Sequence, residues 1–80
     1  MSRLVRRPMA VLRWKGELPE SFVYEGRSHQ VQWVLDEWWE MGDWWRAGRD
    51  RRVVRVWTHD DACMDLECED GVWRVYRIWD

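Results

Sequence analysis

The tryptophans and arginines around position 45 are the residues whose chemistry best suits a binding surface. The stretch DEWWEMGDWWRAGRD, residues 36–50, holds four of the nine tryptophans in two adjacent pairs, and two more arginines follow it. Aromatic rings stack on bases, and guanidinium groups form bidentate contacts with phosphates or carboxylates. Tryptophan and arginine are also enriched among interface hot spots. The residues that we expect to form the contact surface are Trp38, Trp44, Trp45, Arg46, Arg49, Arg51 and Arg52.

Two kinds of partner fit this set, and a purely structural role is the alternative. The chain has 13 basic and 15 acidic residues, whereas a protein that coats nucleic acid would be markedly basic. A protein partner is therefore favoured, with single-stranded nucleic acid as the alternative ligand. In the structural interpretation, the arginines lie over tryptophan rings and pair with acids on neighbouring strands. A monomer and a homodimer both remain open.

The segment from His59 to Cys68 is the one place where metal ligands gather. It also contains Asp60, Asp61 and Cys63. Zinc sites prefer cysteines two to four positions apart, with a second close pair. Here the cysteines are five apart, so on a strand they point to opposite faces. We expect no metal site, with Cys68 as a core thiol and Cys63 partly exposed.

Catalytic arrangements are lacking in the sequence. Ser28 adjoins His29, but neighbouring side chains on a strand or turn point apart, so they do not form a nucleophile–base pair. Neither of the glycine-rich phosphate-binding patterns occurs. A domain of 80 residues also offers little volume for an enclosed pocket. We expect a binding or interaction module without enzymatic activity or cofactor.

The elements that must position these residues are strands, because the hydrophobic period is mostly two. In ACMDLECE the residues Ala62, Met64, Leu66 and Cys68 alternate with polar ones, which predicts a half-buried strand. VWRVYRIWD places Trp73, Val75 and Trp79 on one side and Val72, Tyr76 and Ile78 on the other, which predicts a central strand. With RRVVRVWT, these two segments predict an antiparallel meander with a tight turn at EDG.

The N-terminal half predicts further strands in MAVLRW, SFVYE and HQVQWVL, with a second hairpin at EGRS. Pro8 and Pro19 are expected at strand starts, where a missing N–H does least harm. The predicted fold is all-β, with about six antiparallel strands in a curved sheet or small partly open barrel.

The tryptophan pairs admit two conformations. A hairpin turning at EMGD would set Trp39 opposite Trp44 and Trp38 opposite Trp45, and it is favoured because Gly42 weakens a helix. One tryptophan of each pair would then face the core. The alternative is an α+β fold with a short helix near residues 34–41.

Length and hydropathy predict one small domain spanning residues 1–80. No apolar run approaches the ~20 residues that cross a membrane, and the arginine-rich N-terminus lacks the apolar part of a signal peptide. We therefore expect a soluble cytoplasmic protein.

The pattern GDWWR, an arginine-led strand and DGVWRVYRIWD resembles a small bacterial domain of unknown function. That domain is free-standing or similar to the C-terminal segment of the inactive Y-family polymerase-like proteins of the bacterial mutasome. The resemblance covers residues 8–80, and the residues that carry it are Gly42, Asp43, Trp44, Trp45, Arg52, Asp70, Gly71, Trp73, Tyr76 and Asp80. It implies a non-catalytic module that accompanies DNA repair or translesion synthesis by contacting protein or DNA.

Overall fold

The computed structural model describes residues 2–41 and 50–79, and seven strands account for most of them. The strands are β1 (Ser2–Pro8), β2 (Ala10–Lys15), β3 (Leu18–Tyr24), β4 (Arg27–Glu40), β5 (Arg51–Thr58), β6 (Cys63–Glu69) and β7 (Val72–Trp79). The all-β prediction is confirmed. The alternative helix near 34–41 is wrong, because these residues continue β4 to Glu40.

The strands form one antiparallel sheet in the order β1-β7-β6-β5-β4-β3-β2. β1 and β2 lie at opposite ends of this order, yet only Met9 separates them in the chain. The sheet must therefore curl until its two ends meet at that residue. The result is a curled half-barrel, which confirms the predicted curved, partly open architecture.

The predicted meander and its tight turn are confirmed in β5, β6 and β7. Glu69 pairs with Val72, so Asp70 and Gly71 alone make the connection, with φ of 53° and 78°. Two successive residues in the left-handed region form the hairpin turn whose twist matches that of the flanking strands. The predicted hairpin at EGRS is built in the same way, at residues 25–26.

The hydrophobic core lies on the inner face of the half-barrel. Phe22 from β3 packs against the meander, whose inward residues alternate along each strand. The buried cluster consists of Phe22, Tyr24, Val54, Val56, Met64, Leu66, Trp73 and Val75. Of the residues predicted to face inward on β6, Met64 and Leu66 are buried, and Ala62 and Cys68 pack against the cluster.

A bulge in β7 changes which face its last residues occupy. Leu66 pairs with Val75 and Asp65 pairs with Arg77, so Tyr76 is an extra residue in the ladder. The bulge moves Trp79 to the outer face and places Ile78 against the core instead. The prediction that Trp79 shares a face with Trp73 and Val75 is therefore wrong.

The seventh strand, β1, was not predicted, because its arginines give no clear alternation. It pairs with β7 from Ser2 opposite Trp79 to Pro8 opposite Arg74. Pro8 therefore ends a strand rather than starting one. Pro19 is the second residue of β3, as expected near a strand start.

The predicted tryptophan hairpin is also wrong in its pairing. β4 continues to Glu40 and pairs with β5, which sets Trp38 opposite Val53 and Trp39 opposite Arg52. In this register Trp38 lies beside Val53, which is fully buried. Residues 42–49 lie outside the described residues, and so do the predicted partners Trp44 and Trp45.

Candidate functional site

Two acidic side chains are buried on the outer face, the face of β4–β7 that lies opposite the core. Asp65 is 1% exposed and Glu67 is 3% exposed. Both project from β6 on the side opposite Met64 and Leu66. Burying a carboxylate is costly unless it is paired and hydrogen-bonded. The outer face must therefore supply cations that cover these two acids.

Asp65 receives three hydrogen bonds from two neighbouring strands. Arg55 donates through Nε at 2.8 Å and through Nη2 at 3.2 Å, and the indole Nε1 of Trp79 donates at 3.1 Å. The Arg55 guanidinium also lies 5.2 Å from the ring of Trp38 and 4.6 Å from that of Trp79. The hydrogen bond to Asp65 raises the pKa of Arg55. Arg55 is thus held between two tryptophans and a carboxylate.

Arg51 organises the other part of the outer face. Its Nη1 lies 3.3 Å from the Glu67 carboxylate, and its Nε donates to Glu40 at 2.9 Å. Its guanidinium lies 4.7 Å from the ring of Tyr76 and donates to the hydroxyl at 3.3 Å. The hydrogen bond from Arg51 lowers the pKa of Glu40, outweighing the opposing effect of burial.

Three of the predicted contact residues, Trp38, Arg51 and Arg52, lie within the described ranges, and they occupy both faces of the sheet. Trp38 and Arg51 lie half-buried on the outer face, whereas Arg52 points to the inner side. There Arg52 donates to Glu37 at 2.9 Å and to Glu17 at 3.4 Å. Both arginines thus pair with acids of β4, and Arg51 lies over a tyrosine ring rather than a tryptophan ring. The other four predicted residues lie outside the described ranges: Trp44, Trp45, Arg46 and Arg49.

Adjacent tryptophans of β4 do lie on opposite faces, but neither belongs to the core. Trp38 packs on Arg55 of the outer face, and its Nε1 donates to Glu40 at 3.3 Å. Trp39 is 63% exposed on the inner side, beyond the end of the buried cluster. The prediction that one tryptophan of this pair fills the core is therefore wrong.

Most of the exposed large apolar side chains of the described residues lie at positions 31–41. Residues 31–40 are the part of β4 that pairs with β5, and this length of strand, which has side chains on both faces of the sheet, is called the outer half of β4. Trp33 is 60% exposed on the outer face, opposite Trp57. Val34 and Trp39 are exposed on the inner side. Sequence reasoning missed Trp33 and Val34, although the three adjacent apolar residues at 33–35 were a signal that one strand carries apolar side chains on both faces.

The outer half of β4 is also an open strand edge. One edge pairs with β5, but pairing with β3 stops at Ser21 opposite Gln30, and no other described strand lies along that edge. Pro19 has no N–H with which to continue the ladder. The two strands diverge around a groove of about 330 Å³, which is lined by Lys15, residues 18–20 and residues 31–34.

A second polar cluster ties the β5–β6 turn to the first part of β4. The buried His29 donates through Nδ1 to Asp60, 3.1 Å from Oδ2, and Thr58 Oγ1 donates to Asp60 Oδ1 at 2.5 Å. The hydrogen bond from Thr58 lowers the pKa of Asp60. Because the Thr58 side chain is fully buried within the turn, the cluster is structural.

The cysteines behave as the strand period predicts. Cys68 packs against the core, and Cys63 lies on the opposite face, where burial raises the pKa of its thiol. Within residues 2–41 and 50–79, no group of three or more His, Cys, Asp or Glu side chains is arranged to hold a metal. The same ranges contain no helix long and apolar enough to cross a membrane.

These features define a small all-β protein, a curled half-barrel in which residues 31–40 of β4 pair with a described strand on one side only. The chain belongs to the family described as Domain of unknown function (DUF6504), whose model matches residues 3–80. The identification as a small domain of unknown function is thereby confirmed, and the similarity to mutasome proteins stays a prediction. No curated protein and no solved structure matches the chain.

Proposed function

We propose that this protein is a non-catalytic interaction module that contacts a protein partner through the outer half of β4. The observation that carries the proposal is the exposure of Trp33 and Trp39 on a strand whose second edge has no described neighbour. Tryptophan is the residue that contributes most often to interface hot spots. The contact surface includes Val34, Leu35 and Met41, which are also exposed.

The charge around this surface supports a protein rather than a nucleic acid. Arg51 and Arg52 are already paired with carboxylates, and residues 31–41 contain three acids and no basic residue. A phosphate backbone would meet net negative charge there. Single-stranded nucleic acid stays the alternative ligand, and it requires arginines outside the described residues, Arg46 and Arg49. Tryptophan fluorescence that single-stranded DNA does not quench at low salt would remove this alternative.

The proposed biological setting is DNA repair or translesion synthesis, and only the sequence resemblance suggests it. A module similar to the C-terminal segment of polymerase-like mutasome proteins would contact a protein of DNA repair or translesion synthesis. Its place would be the cytoplasm. The partner sought first is therefore a component of that machinery.

Affinity capture with three versions of the protein tests the proposal. We expect the wild type to retain a partner from extracts of the cells that make it, and the double variant Trp33→Ala/Trp39→Ala to lose it. Leu4→Ala is the matched control, since Leu4 is an exposed apolar residue on β1, at the other end of the sheet. A set of captured proteins that is the same for all three versions would refute the proposed surface.

A further inference from the structure

The exposed residues of the outer half of β4 lie on both faces of the sheet, and this distribution constrains how a partner binds. Trp33 projects from the outer face, whereas Val34 and Trp39 project from the inner side. A partner docked on one face would cover only one of these groups. A strand added to the edge covers both, because its own side chains alternate between the faces.

The backbone along this edge is suited to such an addition. Residues 31–40 form one ladder with β5, and none of the described strands continues the sheet on the other side. Unpaired edge groups are a template for another extended chain. One donor is satisfied locally, since the Asp36 carboxylate accepts the N–H of Glu37 at 2.8 Å. An added strand would therefore form its main-chain hydrogen bonds with the residues before Asp36 and after Glu37.

Charge determines which added strand fits best. The outer half of β4 carries Asp36, Glu37 and Glu40 and has no basic residue. Glu37 and Glu40 are engaged by Arg52 and Arg51. Asp36 lies opposite Arg55, whose guanidinium is bound to Asp65 at 2.8 Å. Among the described residues the Asp36 carboxylate forms no ion pair, so it is the acid of this segment that can meet a cation from outside.

We propose that the partner contributes an extended segment with alternating apolar residues and at least one lysine or arginine, which adds as a strand to the outer half of β4. Main-chain hydrogen bonds to the edge supply affinity. Apolar side chains cover Trp33 on one face and Val34 and Trp39 on the other, and the basic residue meets Asp36. This mode of binding rests on the proposed function, because it specifies how the same surface is used.

A second copy of this chain is the competing occupant, and the charges disfavour it as a pairing of β4 with itself. Antiparallel pairing centred on Asp36 would set the Asp36 carboxylates of the two copies directly opposite each other. Like charges directly opposite each other destabilise a strand pair. Sedimentation velocity at several concentrations tests this directly, and self-association that Val34→Lys abolishes would overturn the proposal in favour of a dimer.

The test uses the full chain and a display library of random 12-residue peptides. We expect selection on the wild type to enrich peptides that alternate apolar positions and carry lysine or arginine. Val34→Lys places a charge at the edge and should weaken these peptides at least tenfold. Val72→Lys is the matched control, because Val72 is 50% exposed against 49% for Val34 and lies on the central strand β7. It should change affinity by less than twofold.

Two further measurements keep the test decisive if Val34→Lys fails to fold. Asp36→Lys changes an exposed side chain and should weaken basic peptides several-fold. Amide hydrogen exchange should slow in residues 31–40 when peptide binds, as strand addition requires. No enriched peptide, binding equal in wild type and edge variants, or binding without this protection would each overturn strand addition. If a captured partner is lost in Trp33→Ala/Trp39→Ala but still binds Val34→Lys, the proposed function would hold and strand addition would be refuted.

Discussion

The meander β5–β7 and the outer half of β4 contain similar types of residue, which are buried in the meander and exposed in the outer half of β4. Both combine apolar residues with acids and aromatic rings. In the meander every strand has a neighbour on both sides, so Asp65 and Glu67 are buried beneath arginines and tryptophans. Along the outer half of β4 no described strand lies on the second side, and Trp33 and Trp39 are exposed. Position in the sheet, rather than residue type, separates the part that stabilises the fold from the part whose side chains are exposed.

The largest expected difference between the two regions is in apolar truncation. Leu66→Ala in the meander should lower the free energy of unfolding by about 2–5 kcal/mol, because it opens a cavity in the core. Leu35→Ala in the outer half of β4 should change it by less than about 0.5 kcal/mol. Urea unfolding followed by tryptophan fluorescence measures both. Equal losses would mean that the outer half of β4 is packed as tightly as the core.

A smaller difference is expected for the acids that face Arg55. Asp65→Asn removes the charge that holds Arg55 and should cost about 1–3 kcal/mol, since Asp65 is buried and accepts three hydrogen bonds. Asp36→Asn, at the exposed edge, should cost less than about 0.5 kcal/mol. The same urea titration compares them. A larger loss for Asp36→Asn would place the main Arg55 ion pair on β4.

Low pH should weaken the two ion pairs that hold the ends of β4, His29 with Asp60 and Arg51 with Glu40. Hydrogen bonds lower the pKa of Asp60 and of Glu40 in the folded protein. A lowered carboxyl pKa contributes stability above its ordinary value, and that contribution is lost as pH falls through the folded value. The free energy of unfolding should therefore decline below about pH 4. The effect is modest because both side chains are partly exposed to solvent.

The variants Asp60→Asn and Glu40→Gln separate the two contributions. Each should flatten part of that decline when urea unfolding is measured between about pH 5 and pH 2. Asp60→Asn removes the ion pair with His29, and Glu40→Gln removes the ion pair with Arg51. An acid-induced decline that neither variant alters would assign the pH dependence to other carboxylates.

The smallest expected effects distinguish two adjacent tryptophans. Trp38→Ala removes a ring that lies over Arg55 and should cost on the order of 1 kcal/mol. Trp39→Ala removes an exposed side chain and should change the free energy of unfolding by less than about 0.5 kcal/mol. Thermal unfolding of both variants checks the order. The reverse order would move the structural role to Trp39 and remove it from the proposed contact surface.

The sequence predicted the parts of the fold that depend on local rules. The two-residue period located β6, and the turn at Asp70 and Gly71 fixed its pairing with β7. The tryptophan pairs were assigned to strands, but the partners of Trp38 and Trp39 were not found, because residues 31–40 of β4 pair with β5, which lies beyond residue 50. The bulge at Tyr76 was likewise invisible, since one extra residue leaves the local composition unchanged.

The candidate site was predicted only in part. Trp38 and Arg51 do share a face, but there they contact acids of the protein itself, Glu40 and Glu67. A signal for this was present in the sequence, because Arg51 and Arg55 fall on one face of RRVVRV and acids alternate in MDLECE, the strand beside it. The exposure of Trp33 and Val34 could not be foreseen, because it depends on where β3 leaves β4.

The sequence by itself determined that this protein is all-β, with tight turns at glycines and a core of alternating residues. These features follow from side-chain period and backbone conformation, which act over a few residues. The tertiary structure alone decided which strand edge stays open and which arginines are already neutralised. Both depend on strand neighbours that are distant in the chain, such as Arg55 beside Asp65 and β3 beside β4.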